Sequence, residues 1–121
     1  MREGGPMATA EAYVTLDGST VIERARPERG GSRNVSVAEA VIEPGQATRA
    51  HSHRLSDEVY YILSGKGVVT LGANTYPVEP GGCVFLPAGI VHSARCDGPE
   101  ALRLLCICVP PYTHEQTALA D

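Results

Sequence analysis

The chain has 121 residues, 43% of them apolar, which is enough for one domain with a real core and too few for two. Ten Lys and Arg stand against fourteen Asp and Glu, for a formal charge of −4, which argues against a nucleic-acid binder working through a basic face. No run of 18 apolar residues occurs, so no helix is expected to span a membrane.

In chain order, the first segment, 1–11, lacks the apolar region of a secretion signal and reads as a flexible extension, with Met7 as an alternative start. The expected setting is a reducing cytoplasm, in which Cys83, Cys96, Cys106 and Cys108 are thiols. A single domain is expected over 12–121. Arg24, Arg26, Arg29 and Arg33 fall in a Pro/Gly-rich stretch, read first as a solvated loop and second as an anion contact. Short runs follow: RNVSVAEAVI at 33–42, EVYYIL at 58–63, GVVTL at 67–71, CVFL at 83–86, VHSARC at 91–96 and ALRLLCICV at 101–109. Turn signals separate them, among them EPGQ at 43–46, SGKG at 64–67, EPGG at 79–82, PAG at 87–89 and DGP at 97–99. Short strands at this spacing, punctuated by thirteen glycines and nine prolines, predict an all-β sandwich or barrel. The tail, PYTHEQTALAD at 111–121, is expected to form a short helix capped by Thr113, with Gln116 three positions on. The two EPG turns each precede a histidine segment, and two similar halves fit a double-sheet jelly roll.

Residues two apart on a strand share a face, so His51 and His53 point the same way. Glu58 shares its face with Tyr60 and Ile62. A carboxylate on an apolar inner face must be paired, protonated or metal-bound. His92 follows the PAG bend, so three histidines and one glutamate can converge inside a barrel. Such a mixed N/O set suits a divalent transition ion: Zn, Mn, Fe, Ni, Co or Cu. Four ligands on an octahedral ion leave two positions for water or substrate. Taken singly, each residue has a plainer reading: H-x-H on an exposed strand, a surface glutamate, a loop histidine.

Gly45, His51, His53, Glu58 and Gly65, followed by Gly81, Pro87, Gly89 and His92, form a two-part signature that resembles the cupin superfamily, in its small single-domain (monocupin) form. Cys96 stands where that family usually has Asn. The resemblance implies a double-stranded β-helix, a jelly-roll barrel, with its metal-binding core over 45–96. It implies His51, His53, Glu58 and His92 as ligands, and Gly45, Gly65, Gly81, Pro87 and Gly89 as turn-formers. It also implies a homodimer, to which 12–21 (AYVTLDGSTV) can lend an exchanged strand. By strand parity Cys96 faces the cavity, either as a small apolar filler or as a redox-sensitive thiol near the ion. Cys106 and Cys108 share a face and read as core, and His114 reads as solvated.

Fold does not fix function, and three readings stay open. The first is a metal-dependent isomerase- or lyase-like enzyme acting on a hydroxy-ketone, keto acid or sugar. In it Tyr60 moves a proton or orients substrate (or is simply a core aromatic), and Glu58 is a possible catalytic group. The second is a dioxygenase using Fe, Ni or Cu. Phe85 is the only Phe and Trp is absent, which tilts a pocket containing Phe85 and Cys96 toward small polar substrates. The third is a non-enzymatic module binding a small ligand through the metal.

Overall fold

Inward and outward side chains alternate along almost every apolar run. The strand from Asp57 to Ser64 buries Glu58, Tyr60 and Ile62 and turns Tyr61 and Leu63 to solvent. The structure is a computed structural model that describes residues 4–8 and 10–120. The extension expected over 1–11 lies partly outside them.

Eleven strands are present among the described residues: β1 (Tyr13–Val14), β2 (Thr20–Ala25), β3 (Ser36–Ile42), β4 (His51–His53), β5 (Asp57–Ser64), β6 (Gly67–Leu71), β7 (Asn74–Val78), β8 (Cys83–Leu86), β9 (His92–Cys96), β10 (Leu102–Val109) and β11 (Thr117–Leu119). They form two sheets, ordered β1-β2-β3-β10-β5-β8 and β11-β4-β9-β6-β7. Pairing within each sheet is antiparallel, giving the expected all-β jelly roll. The two EPG turns are one device used twice. Gln46 N–H reaches Glu43 O at 2.9 Å and Gly82 N–H reaches Glu79 O at 3.0 Å. Each turn places Pro second and a positive-φ glycine third, Gly45 at 78° and Gly81 at 88°, as a type II turn requires.

The inner faces carry a gradient. Along β5 they read Glu58, Tyr60, Ile62; along β9, His92, Ala94, Cys96; along β10, backwards, Cys108, Cys106, Leu104, Leu102. The register sets Glu58 beside Cys108, Tyr60 beside Cys106 and Ile62 beside Leu104. One end of the sandwich is therefore apolar, with Ile62, Val69, Leu102 and Leu104 almost wholly buried. The other end is polar.

Two expectations are corrected. The tail is not helical: Thr117–Leu119 is a strand pairing with β4. Gln116 does not serve a helix cap but accepts from Leu55 N–H (2.9 Å) and Ser56 N–H (2.8 Å), satisfying the turn between β4 and β5. The arginine cluster is also not simply a solvated loop. Arg24 belongs to β2 and pairs with Glu39 at 3.3 Å, and Arg26 pairs with Glu28 at 2.7 Å. The 12–21 stretch contributes β1 and the start of β2, which folds onto the chain's own β3.

The motif glycines differ in what constrains them. A Cβ added at Gly45 would meet open space, whereas at Gly65, also at positive φ, it would strike the Ala101 carbonyl. Gly45→Ala should cost about 1 kcal/mol of backbone strain, and Gly65→Ala about 3 kcal/mol or more, since strain and overlap add. Urea unfolding of the two variants measures the difference; equal losses would contradict the assignment.

Candidate metal centre

The two sheets meet at the polar end through four side chains. His51 and His53 come from β4, His92 from β9 in register with His51, and Glu58 from β5 in the facing sheet. All four are buried. The three imidazoles offer nitrogens within 4.8 Å of one another. Glu58 Oε1 lies 3.2 Å from His53 Nε2 and 3.4 Å from His92 Nε2.

The second nitrogen of each ring fixes its tautomer. His51 Nδ1 lies 2.7 Å from Arg49 O and His92 Nδ1 3.2 Å from Ile90 O; a carbonyl only accepts, so each Nδ1 carries the proton. His53 Nδ1 lies 3.0 Å from Thr117 Oγ1, whose own proton goes to Thr113 O at 3.0 Å, so here too Nδ1 donates. All three Nε2 atoms then hold lone pairs, close enough together to serve one ion. Glu58 Oε1 and His92 Nε2 are buried without a hydrogen-bond partner. A cation could satisfy these orphaned acceptors, and the donor set fits a divalent transition ion.

Local electrostatics agree. Burial pushes the His51 pKa down, with the neighbouring His92 acting in the same direction, which favours the neutral, ligating form. Burial opposes ionisation of Glu58, and the contacts with His53 and His92 that would lower its pKa act only where those Nε2 atoms carry protons. A divalent ion at the same point acts in the same sense. Burial, followed by the charge of Glu58, pushes Tyr60 and Cys106 well up, and the same two causes raise Cys108, so all three stay protonated.

Beside His51, His53 and Glu58 opens a cavity of about 50 Å³, measured to the centre of a water molecule, with room for a few waters or a small ligand. Its walls carry hydroxyls from Thr15, Ser19, Ser36, Thr48 and Thr117, three tyrosines, the thiols of Cys106 and Cys108, and the carboxylates of Asp17 and Glu23. No Lys or Arg is among the described residues that line it.

Tyr60 lines this cavity, its ring 6.0 Å from that of His92. Phe85 does not: it lies on the outer face of β8, 58% exposed, because Val84 and Leu86 hold the inward parity. Cys96 points inward as parity demands, yet belongs to the apolar core, with its thiol 3.1 Å from Glu100 O. Four residues of strand, about 13 Å, carry it away from His92; parity fixes a face and not a depth, so it is a filler and not a thiol near the ion. Cys106 and Cys108 pack with the core, as expected, and also line the cavity. Asp17, Tyr112 and Thr117 were not singled out from the sequence. Asp17 hides in an ordinary Asp-Gly turn, and Thr117 acts only through the strand that the tail forms.

Thr117→Val removes the acceptor that holds His53 Nδ1–H while leaving the ligands intact. We expect Zn(II) affinity to fall about 10- to 100-fold, with a larger loss for Glu58→Gln. Competition against a chromogenic chelator measures both.

Comparison with known proteins agrees with this geometry. The sequence profile of the cupin domain matches residues 38–108. The uncharacterized protein MJ1618 of Methanocaldococcus jannaschii is 36% identical over 109 residues, covering 90% of this chain and 87% of that protein. The oxalate-binding protein of Thermotoga maritima is 26% identical over 125 residues, covering 90% and 98%. Among solved structures, Streptomyces Pac13 with uridine superposes with a TM-score of 0.76 over 92% of this chain and 84% of that one, at 15% identity, a likeness of fold. The paired sheets, the two glycine-punctuated motifs and the profile match lead to one conclusion: this chain is a small, single-domain member of the cupin family.

Proposed function

We propose that the chain is a metal-dependent enzyme of the isomerase or lyase type, acting on a small, polar, oxygen-rich substrate such as a hydroxy-ketone, keto acid or sugar. The observation that carries this reading is the orphaned pair, Glu58 Oε1 and His92 Nε2, with Glu58 lining a cavity whose walls mix hydroxyls and carboxylates with apolar side chains. His51, His53, His92 and Glu58 would hold the ion, which when bound acts as a Lewis acid on a substrate oxygen.

The rest falls to the chain's own side chains. Tyr60, two residues from Glu58 on the same inner face, keeps its proton and so donates a hydrogen bond or a proton to a substrate oxygen. Cys106 and Cys108 stay as thiols, lining the wall without acting as nucleophiles. Walls from both sheets enclose the cavity in part, and its volume suits a small molecule. Tyr61, Leu63, Phe85 and Val109 are exposed on the outer face of the six-stranded sheet, a surface suited to a homodimer, and four free cysteines suit the cytoplasm.

One observation favours a second reading: the oxalate-binding relative matches over 98% of its length, so this site too can serve as a ligand-binding module. The same ligand set in an iron, nickel or copper form would make the chain a dioxygenase. A single design separates the three. Metal-loaded protein in D₂O is incubated with hydroxy-ketones, keto acids and sugars and followed by proton NMR, with dissolved oxygen recorded in parallel. Exchange at carbon, abolished by chelation and slowed at least about 100-fold in Tyr60→Phe, is the expected result. Binding without exchange points to the module, and oxygen uptake to the dioxygenase.

A further inference from the structure

The turn between β1 and β2, Thr15 to Ser19, carries more hydrogen bonding than a turn needs. Thr15 N–H donates to Ser19 O (3.0 Å), Gly18 N–H to Thr15 O (3.0 Å), and Gly18 takes a φ of 90°. The Asp17 carboxylate is held as well. Its Oδ1 accepts from Thr15 Oγ1 (2.6 Å), Ser19 N–H (2.9 Å) and Ser19 Oγ (2.7 Å). Three donors on one oxygen fix the plane of the group and direct Oδ2.

That second oxygen lies 3.5 Å from His51 Nε2, at the cavity wall. One residue ties the two together: Arg49 N–H donates to Asp17 O at 2.7 Å, and Arg49 O accepts from His51 Nδ1–H at 2.7 Å. Because Nδ1 carries the His51 proton, Oδ2 and Nε2 face each other as two acceptors. Neither satisfies the other; a donor or a cation from a third party must stand between or beside them.

Charge narrows what that third party is. Asp17, Glu23 and Glu58 line the cavity with no described Lys or Arg among the lining residues, and Glu23 is already engaged by the Tyr13 hydroxyl at 2.6 Å. A divalent ion offsets Glu58 and one more negative charge. A dicarboxylate would add two beside the fixed Asp17 oxygen, whereas a hydroxyl group brings the donor that Oδ2 lacks.

We propose that Asp17 Oδ2 accepts a hydrogen bond from a hydroxyl of the metal-held ligand and so makes the site selective for uncharged, hydroxyl-bearing ligands over dicarboxylates. This deepens the metal-dependent reading above and rests on it. Asp17 is a specificity-determining residue placed by Thr15, Ser19 and Arg49.

Co(II)-loaded full-length protein, titrated with hydroxyacetone and with oxalate and followed by its visible absorption bands, tests the proposal. Asp17→Asn keeps the shape and can keep the bonds at Oδ1 while turning a donor toward the cavity. We expect Co(II) affinity within about threefold of the parent, hydroxyacetone binding weakened about 10- to 100-fold and oxalate binding strengthened. Thr15→Val keeps the charge but loosens its aim, and should weaken hydroxyacetone without improving oxalate. An unchanged preference in both variants overturns the proposal, as does a loss of Co(II) in Asp17→Asn as large as in Glu58→Gln, which would make Asp17 a ligand of the ion. Failure of the parent chain to take up Co(II) overturns the metal reading itself.

Discussion

Three imidazole protons are held by two backbone carbonyls and one hydroxyl, and the polar end of the protein depends on that placement. Arg49 O, Ile90 O and Thr117 Oγ1 hold the Nδ1 protons, which leaves three Nε2 lone pairs free, those of His53 and His92 beside the oxygen of Glu58 from the facing sheet and that of His51 beside Asp17. Had the His53 or His92 ring been held the other way round, its inward nitrogen would donate to Glu58 as an ordinary buried hydrogen bond. The site would then be a closed polar network with no need of an ion.

This arrangement is possible because the sandwich divides its labour along the strand axis. Ile62, Leu102, Leu104 and Val69 pack one end, so the other need supply fewer apolar contacts and can tolerate buried carboxylates. β5 and β10 carry both functions at once, passing from Glu58 and Cys108 to Ile62 and Leu104 within a few paired residues. A slip of one residue in that register would exchange the inner and outer faces, placing Tyr61 in the cavity and Glu58 outside. Site and core therefore fix each other's register.

Features governed by local rules were legible in the sequence. Alternation placed Glu58, Tyr60 and Ile62 on one face, and the EPG turns are the type II turns that Pro and Gly impose. Three features depended on partners remote in sequence. The tail has a plausible local cap, but β4 offered Thr117–Leu119 a free edge and Gln116 a pair of unsatisfied amides, and pairing outweighed propensity. Cys96 was placed on the right face at the wrong depth, since period-two alternation carries no information about distance along the strand axis. Asp17 reads as turn chemistry because its Oδ1 does that work; only coordinates show that Oδ2 does something else.

The same acceptors that define the site also burden the fold without an ion. Glu58 Oε1 and His92 Nε2 are buried without partners, and each such atom costs about 1–3 kcal/mol. An ion that satisfies both binds the folded chain and not the unfolded one, and at a thousandfold excess over its dissociation constant would stabilise it by about 4 kcal/mol. That gain is of the same order as the burden, and it acts between β4, β9 and β5, across the gap that no strand pairing closes. At this end, then, an ion would take the structural place that Ile62 and Leu104 hold at the other, and binding affinity and cohesion of the two sheets would be aspects of one free energy.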